Sequence, residues 1–202
     1  MSYMSYDSNL VIGSACIAVI ICYVAISLEQ LIFTQHTPRL QKIILCLSGM
    51  VFGFAIWAMH FVGMLACDLP QGYSFDLTLT VISYIIAAMA STFAIWLTTQ
   101  ETLPIVRLIL GGVLMGLGIS GMHYIGMLGL TIPNQQVDYD VILVMLSVII
   151  AISGSGLSFW LAFKYKNSFN HKMLYKIAVS IMIALSIVGM HYIGMAAATI
   201  SS

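Results

Sequence analysis

The sequence predicts an all-α, polytopic membrane protein of six transmembrane helices, arranged as three two-helix repeats with the N-terminus outside the cytoplasm. Only 7% of its 202 residues are charged, against roughly 25% in soluble domains, and 61% are hydrophobic. The apolar residues form continuous stretches without the two-residue alternation of a membrane barrel. A soluble fold, a disordered chain and a nucleic-acid-binding surface are excluded, since seven Lys and Arg only balance seven Asp and Glu.

Six apolar stretches define the predicted helices, and each can cross about 30 Å of hydrocarbon at 1.5 Å per residue. The first is too long for the core of a secretory signal and has no basic residue before it, so we expect it to remain as a helix. The loops are short, which leaves no room for a soluble catalytic domain. The predicted spans cover residues 10–33, 43–66, 77–98, 105–130, 141–163 and 177–200.

The basic residues indicate the orientation, because Lys and Arg mark cytoplasmic loops. All of them follow the first, third and fifth spans, and the opposite side carries only acidic residues. The N-terminus and Ser202 are therefore predicted to lie outside, and a cytoplasmic output in the same polypeptide would need a seventh span after Ser202. The basic residues are Arg39, Lys42, Arg107, Lys164, Lys166, Lys172 and Lys176, and the opposing acidic ones are Asp7, Asp68, Asp76, Asp138 and Asp140.

One heptapeptide occurs three times, at residues 58–64, 121–127 and 189–195. It reads small residue, Met, His, aromatic residue, β-branched residue, Gly, Met. Two spans fit between successive histidines, so all three copies cross the membrane in the same direction on the second helix of each pair. The chain is thus predicted to be one domain, 1–202, made of units at roughly 8–68, 75–131 and 140–200.

The three histidines need a functional explanation, because an ionisable side chain inside a span costs about 2.5 kcal/mol or more. At one depth in the outer part of the bilayer, three imidazoles can all be satisfied by a single metal ion. Imidazole suits copper and zinc, and thioether sulfur favours Cu(I), so copper is predicted with zinc as the alternative. The predicted metal ligands are His60, His123, His191, Met59, Met122, Met190, Met64, Met127 and Met195.

Other interpretations of the motif residues stay open. The heptapeptide could be a duplicated packing motif, in which Met fills gaps, Gly permits close helix contact and His forms hydrogen bonds. Cys67 follows His60 by seven residues on the same helix face and could add a soft ligand. Tyr124 and Tyr192 could donate hydrogen bonds, but packing is their expected role because the first copy has Phe61.

Three such heptapeptides on alternate helices of a six-span array closely resemble the bacterial MHYT domain, and the resemblance covers essentially the whole chain. It implies a sensor of the bacterial inner membrane that binds copper and detects oxygen, carbon monoxide or nitric oxide. It also implies cytoplasmic signalling modules downstream, such as diguanylate cyclase or phosphodiesterase domains, histidine kinases or transcription regulators. The resemblance maps the copper ligands onto Met59, His60, Met122, His123, Met190 and His191.

The chain departs from the motif at two positions. Val62, Ile125 and Ile193 stand where the motif has threonine, and Phe61 replaces tyrosine in the first copy. A role for the threonine hydroxyl is therefore absent here, while the atoms able to bind metal remain.

The predicted function is a non-catalytic sensory module, in which bound metal detects a diatomic gas or a redox change and regulates a cytoplasmic output. That output would be a cyclic-di-GMP enzyme or a kinase, in the full-length protein or in a partner. Membrane lipid is also expected as a partner.

A copper transporter or metal-homeostasis protein is the alternative function. Met50, Met115 and Met182 lie below the histidines, but no acidic residue lies in mid-membrane. A membrane oxidoreductase with haem or copper is a third interpretation.

Overall fold

The computed structural model describes residues 5–100, 102, 104–165 and 172–201, and it confirms the all-α membrane fold. Six helices within these residues are long and apolar enough to cross a membrane. They begin and end close to the predicted spans, because continuous apolar stretches bounded by Asp, Pro and Gly leave few alternatives. The helices are α1 Ser8–Ile32, α2 Pro38–Leu65, α3 Leu77–Thr98, α4 Ile105–Leu128, α5 Val141–Tyr165 and α6 Lys172–Ala197.

The fourth and sixth predicted spans are too long at their C-terminal ends. Helix α4 ends at Leu128, not at residue 130, and α6 ends at Ala197, not at residue 200. The residues that follow leave the helix because they pair with an extended segment elsewhere. Antiparallel pairs join β1 Ser74–Phe75 to β2 Leu130–Thr131, and β3 Gln136–Tyr139 to β4 Ala198–Ser201.

These pairs follow one rule, which the first unit also obeys. In each unit the residue two positions before the odd-numbered helix pairs with the residue seven positions after the motif histidine. The bridges at these positions are Tyr6 with Cys67, Phe75 with Leu130, and Tyr139 with Ala198. Each unit is therefore a helical hairpin whose two open ends are tied together by extended backbone.

An aspartate begins every odd-numbered helix and strengthens this tie. Its carboxylate accepts hydrogen bonds from backbone amides of the first turn, and its own amide donates to the carbonyl that ends the even-numbered helix. The latter bonds are 2.9 Å long in all three units and join Asp7 to Ala66, Asp76 to Gly129, and Asp140 to Ala197. Three of the predicted outer acidic residues are thus helix caps, which the Asp before each apolar stretch could have indicated.

The six helices form a closed ring in chain order, with α1 packed against α6. The even-numbered helices also contact one another, so α2, α4 and α6 form the centre and the odd-numbered helices pack outside them. Close approach between neighbours depends on glycine. A Cβ at Gly53 or at Gly116 would lie 2.6 Å from backbone atoms of the next odd-numbered helix, at Ala88 and Ile152.

Charge is divided between the two ends of the ring, as predicted. The described basic residues lie at the starts of α2, α4 and α6 and at the end of α5, and the capping aspartates lie at the opposite end. Lys166 is outside the described residues. Which end faces the cytoplasm stays a prediction from the distribution of Lys and Arg.

Candidate metal centre

The three motif histidines meet at the centre of the ring. Each lies near the C-terminal end of an even-numbered helix, at the same distance before an extended pair, so the three share one depth. Their exposed fractions are 0% for His60, 1% for His123 and 2% for His191. Within the part of the chain that the structure describes, they are the one group of three His, Cys, Asp or Glu side chains able to share an ion.

The imidazoles approach one another through the same nitrogen. The Nδ1 atom of His60 lies 3.1 Å from those of both His191 and His123, and the remaining pair is 3.3 Å apart. The centre of such a triangle is about 1.8 Å from each corner, close to the roughly 2.0 Å of a metal–imidazole bond. The donor set therefore fits a small metal ion.

Hydrogen bonding between the rings cannot satisfy this arrangement. A neutral imidazole carries one proton, on Nδ1 or on Nε2. Only one Nδ1 proton fits inside the triangle, so at least two rings carry their proton on Nε2, and two lone pairs face each other. All three Nε2 atoms are buried without a hydrogen-bond partner. A cation at the centre would relieve the repulsion between the converging lone pairs.

The motif methionines belong to two separate buried clusters. The Met that precedes each histidine is buried in the main core, and the Met four residues after it belongs to a separate outer cluster with Cys67 and Leu130. All six are buried. The main-core set is Met59, Met122 and Met190, and the outer set is Met64, Met127 and Met195.

The aromatic residue of each motif packs edge-on against its own histidine. The ring centroids are 4.7 to 4.8 Å apart in the pairs His60–Phe61, His123–Tyr124 and His191–Tyr192. The expectation that the tyrosines only pack was wrong. Tyr124 reaches the Oγ atom of Ser147 at 2.7 Å, and Tyr192 reaches that of Ser14 at 3.1 Å.

The tyrosines are the donors in these bonds, because both serine hydroxyls already donate to a carbonyl one turn earlier. Ser14, Ser83 and Ser147 each lie seven residues after a capping aspartate, and that shared spacing was the signal that sequence reasoning missed. Ser83 is, by this spacing, the counterpart for the unit whose motif has Phe61. The aromatic residue beside the histidine therefore forms a hydrogen bond in the second and third motifs, whereas in the first motif it has no hydroxyl.

Cys67 lies in the outer cluster and is not a member of the histidine group. Its Sγ atom donates to the carbonyl of Gly63 at 3.5 Å, and burial raises the pKa of the thiol to about 11. Of the two other histidines, His36 is exposed and His171 lies outside the described residues.

The alternatives to a compact metal centre have little support in this geometry. Three Nδ1 atoms within 3.3 Å leave no slot for a haem macrocycle between them. The methionines predicted to lead inward do not form a shared layer: Met50 is 48% exposed on the outside of the ring, whereas Met115 is buried and accepts a hydrogen bond from Ser91.

Comparison with known proteins agrees with this architecture. A family model named MHYT, described as the bacterial signalling protein N terminal repeat, matches residues 53–111 and 116–173. Each match begins seven residues before a motif histidine and so contains one of the first two heptapeptides. The third heptapeptide lies outside the matched residues. No solved structure matches the chain.

Three curated relatives align with 98% of this chain but are much longer. The bifunctional diguanylate cyclase/cyclic di-GMP phosphodiesterase MucR of Pseudomonas aeruginosa is 40% identical, and the chain spans 29% of it. The signaling protein YkoW of Bacillus subtilis is 35% identical, with 24% of its length covered. The cyclic di-GMP phosphodiesterase NbdA of Pseudomonas aeruginosa is 32% identical, with 25% covered.

The chain therefore spans 24 to 29% of the length of these three curated relatives. Two lines of support, the matched repeats and the three heptapeptides on alternate helices, point to the same family. The chain belongs to the MHYT family of bacterial signalling proteins.

Proposed function

We propose that this domain is a membrane sensory module whose histidine triangle binds one metal ion. The observation that carries the proposal is the convergence of three buried Nδ1 atoms within 3.1 to 3.3 Å, with every Nε2 atom left unpartnered. Packing alone does not explain it, because at least two nitrogen lone pairs directed at one point repel each other in a medium of low dielectric constant.

Copper is the metal we propose, with zinc as the alternative. Six buried methionines lie in the same motifs as the histidines, and thioether sulfur selects Cu(I) more strongly than zinc. His60, His123 and His191 would hold the ion. Either methionine set could add a thioether: Met59, Met122 and Met190, or Met64, Met127 and Met195. Copper would supply a redox-active centre with affinity for oxygen, carbon monoxide or nitric oxide.

Elemental analysis of detergent-purified protein tests the metal directly. We expect about one equivalent of copper in the unaltered protein and its loss in His60→Ala, His123→Ala and His191→Ala. His36→Ala is the matched control, because His36 is exposed and distant from the triangle. Zinc in place of copper would favour a structural or zinc-responsive role. Absence of metal after copper loading would favour the interpretation of the heptapeptide as a packing motif.

Methionine variants then show which of the two methionine sets contributes a thioether ligand. Met→Leu changes in one set keep the side-chain volume and remove the sulfur, so stability should change by less than about 1.5 kcal/mol. The set whose removal lowers Cu(I) affinity and eliminates the Cu–S scattering in X-ray absorption contributes the thioether. If neither set matters, the three imidazoles are the complete protein ligand set.

We further propose that the module controls a cytoplasmic cyclic-di-GMP enzyme, in the same polypeptide or in a partner, and has no catalytic residues of its own. Two of the relatives named above are cyclic-di-GMP enzymes, and the chain matches less than a third of each. The full-length gene product provides the test. Its cyclase or phosphodiesterase activity in membranes should respond to oxygen, carbon monoxide or nitric oxide, and His123→Ala should abolish the response but not basal activity.

A further inference from the structure

The glycine of each heptapeptide lies against the histidine of another unit. A Cβ atom built on Gly63 would be 2.5 Å from Nε2 of His191, one on Gly126 would be 2.7 Å from Nε2 of His60, and one on Gly194 would be 2.6 Å from Nε2 of His123. The second and third nearest atoms at each glycine are carbons of the same imidazole. These glycines therefore do more than let helix backbones approach.

The contacts run around the ring in one direction. The glycine of the first unit receives the histidine of the third, that of the second receives the histidine of the first, and that of the third receives the histidine of the second. No histidine rests on the glycine of its own helix. Because the pattern is cyclic, it exists only when all three even-numbered helices are packed together.

Each imidazole is thus confined on three sides. Its Nδ1 edge faces the other two histidines, its Nε2 edge faces the glycine of a neighbouring helix, and the aromatic residue of its own motif covers it at 4.7 to 4.8 Å. A methyl group on the glycine would have to push the ring away to reach ordinary contact at 3.4 Å or more. That movement would carry Nδ1 out of the triangle.

We infer that Gly63, Gly126 and Gly194 are positioning residues, each of which sets the orientation of the metal-binding histidine of a different repeat. The inference rests on the proposed function where it concerns metal affinity. Its core, the pairing of each glycine with one particular histidine, holds whether or not metal is bound. The same contact links helix packing to ligand position, so a shift of one even-numbered helix displaces a ligand carried by another.

A double-mutant cycle on the metal-free protein tests the pairing. Gly63→Ala should lower Tm by about 3–10 °C, because it overpacks a buried contact. In the His191→Ala background the methyl group fills space that the imidazole has vacated, so the loss should disappear. In the His60→Ala background, on the same helix as Gly63, the loss should persist. A general helix-packing role predicts the same loss in both backgrounds and would overturn the inference.

Two native glycines provide matched controls. Gly121 and Gly189 begin the second and third heptapeptides, and a Cβ on either would meet only an isoleucine methyl group, at 3.5 and 3.4 Å. The first heptapeptide already has Ala58 at this position. Gly121→Ala and Gly189→Ala should therefore leave metal affinity unchanged and keep or raise Tm, since Ala favours helix over Gly.

Metal affinity gives the second readout. Gly63→Ala, Gly126→Ala and Gly194→Ala should each weaken copper binding by about 10- to 100-fold, the usual effect of displacing a group that orients a ligand. X-ray absorption of the loaded variants should show fewer Cu–imidazole contributions than in the controls. If the unaltered protein binds metal and these variants bind it equally well, the inference is wrong and the proposed function stands.

The remaining outcomes separate the two proposals. If the unaltered protein binds no metal but the cycle shows coupling of Gly63 to His191, the proposed function fails and the positioning role stands. Should a His→Ala background not fold, the Gly126–His60 and Gly194–His123 pairs offer the same cycle. In Gly63→Ala alone, ring NMR signals of ¹³C-labelled His191 should shift more than those of His60, and equal shifts would contradict the pairing.

Discussion

At the scale of the residue, equivalent positions in the three units differ in chemistry. Tyr124 donates to Ser147 of α5 and Tyr192 to Ser14 of α1, while Phe61, at the equivalent position of the first unit, has no hydroxyl. Its counterpart serine, by position after the capping aspartate, is Ser83 of α3. Ser83 donates to the carbonyl of Thr80 and keeps a free acceptor position. Between the first and second units a polar link comes instead from Trp57, whose Nε1 atom donates to the carbonyl of Thr80 at 3.1 Å.

Restoring the missing hydroxyl should stabilise the protein. Phe61→Tyr should form the hydrogen bond to Ser83 that its counterparts form, and we expect the free energy of unfolding to rise by about 0.5–1.5 kcal/mol. Thermal unfolding in detergent measures the change. In the Ser83→Ala background the gain should vanish. A gain of equal size in both backgrounds would mean that the hydroxyl bonds elsewhere.

At the scale of the element, each odd-numbered helix depends on the aspartate that begins it. The Oδ1 atom of Asp76 accepts from the amide of Leu79 at 2.8 Å, and the corresponding carboxylates of Asp7 and Asp140 accept from amides at 2.8 Å. These caps satisfy amides that the first turn of a helix leaves unpaired. The backbone amides of the same aspartates donate to the end of the even-numbered helix and hold the two helix ends together.

Loss of a cap should therefore destabilise one unit measurably. Asp76→Ala should lower the free energy of unfolding by about 1 kcal/mol, and Asp76→Asn should restore most of it because Asn caps as well as Asp. Asp68→Ala is the matched control, since its exposed carboxylate accepts from Ser5 and caps no helix. Equal effects of the changes at Asp68 and Asp76 would argue against a capping role.

At the scale of the whole molecule, the three units close into a ring whose last contact joins α1 to α6. The histidine triangle takes one ligand from each unit, so a bound ion would link all three. Residues as far apart in sequence as His60 and His191, 131 positions, would then be held by one centre. Binding and closure of the ring are thermodynamically linked, because an ion that binds only the folded state stabilises it.

Metal should accordingly raise thermal stability. At a free concentration 1,000 times Kd, the expected gain is about 4 kcal/mol, or roughly 10 °C in Tm for a chain of this size. Removal of the ion by a chelator should reverse the shift. His36→Ala should keep the full shift and His123→Ala should lose it. A shift of the same size in both variants would place the stabilising ion elsewhere.

Sequence reasoning predicted the six helices from hydropathy and the convergence of the histidines from the repeated motif. Hydropathy over about 20 residues is a local property, and a repeated motif implies repeated positions. His60, His123 and His191 form a buried group, as predicted. The roles of the six motif methionines as ligands stay predictions, since sulfur that packs and sulfur that binds metal look alike in a sequence.

By itself, the sequence determined that this protein crosses the membrane six times and presents one His-bearing motif on every second helix. Only the tertiary structure decided which imidazole nitrogen faces the centre, which glycine receives which histidine, and that short extended pairs close each hairpin. The reason is that these features depend on the rotation of each helix about its axis and on the order of helices around the ring. Both are set by contacts between distant residues, which no local pattern encodes.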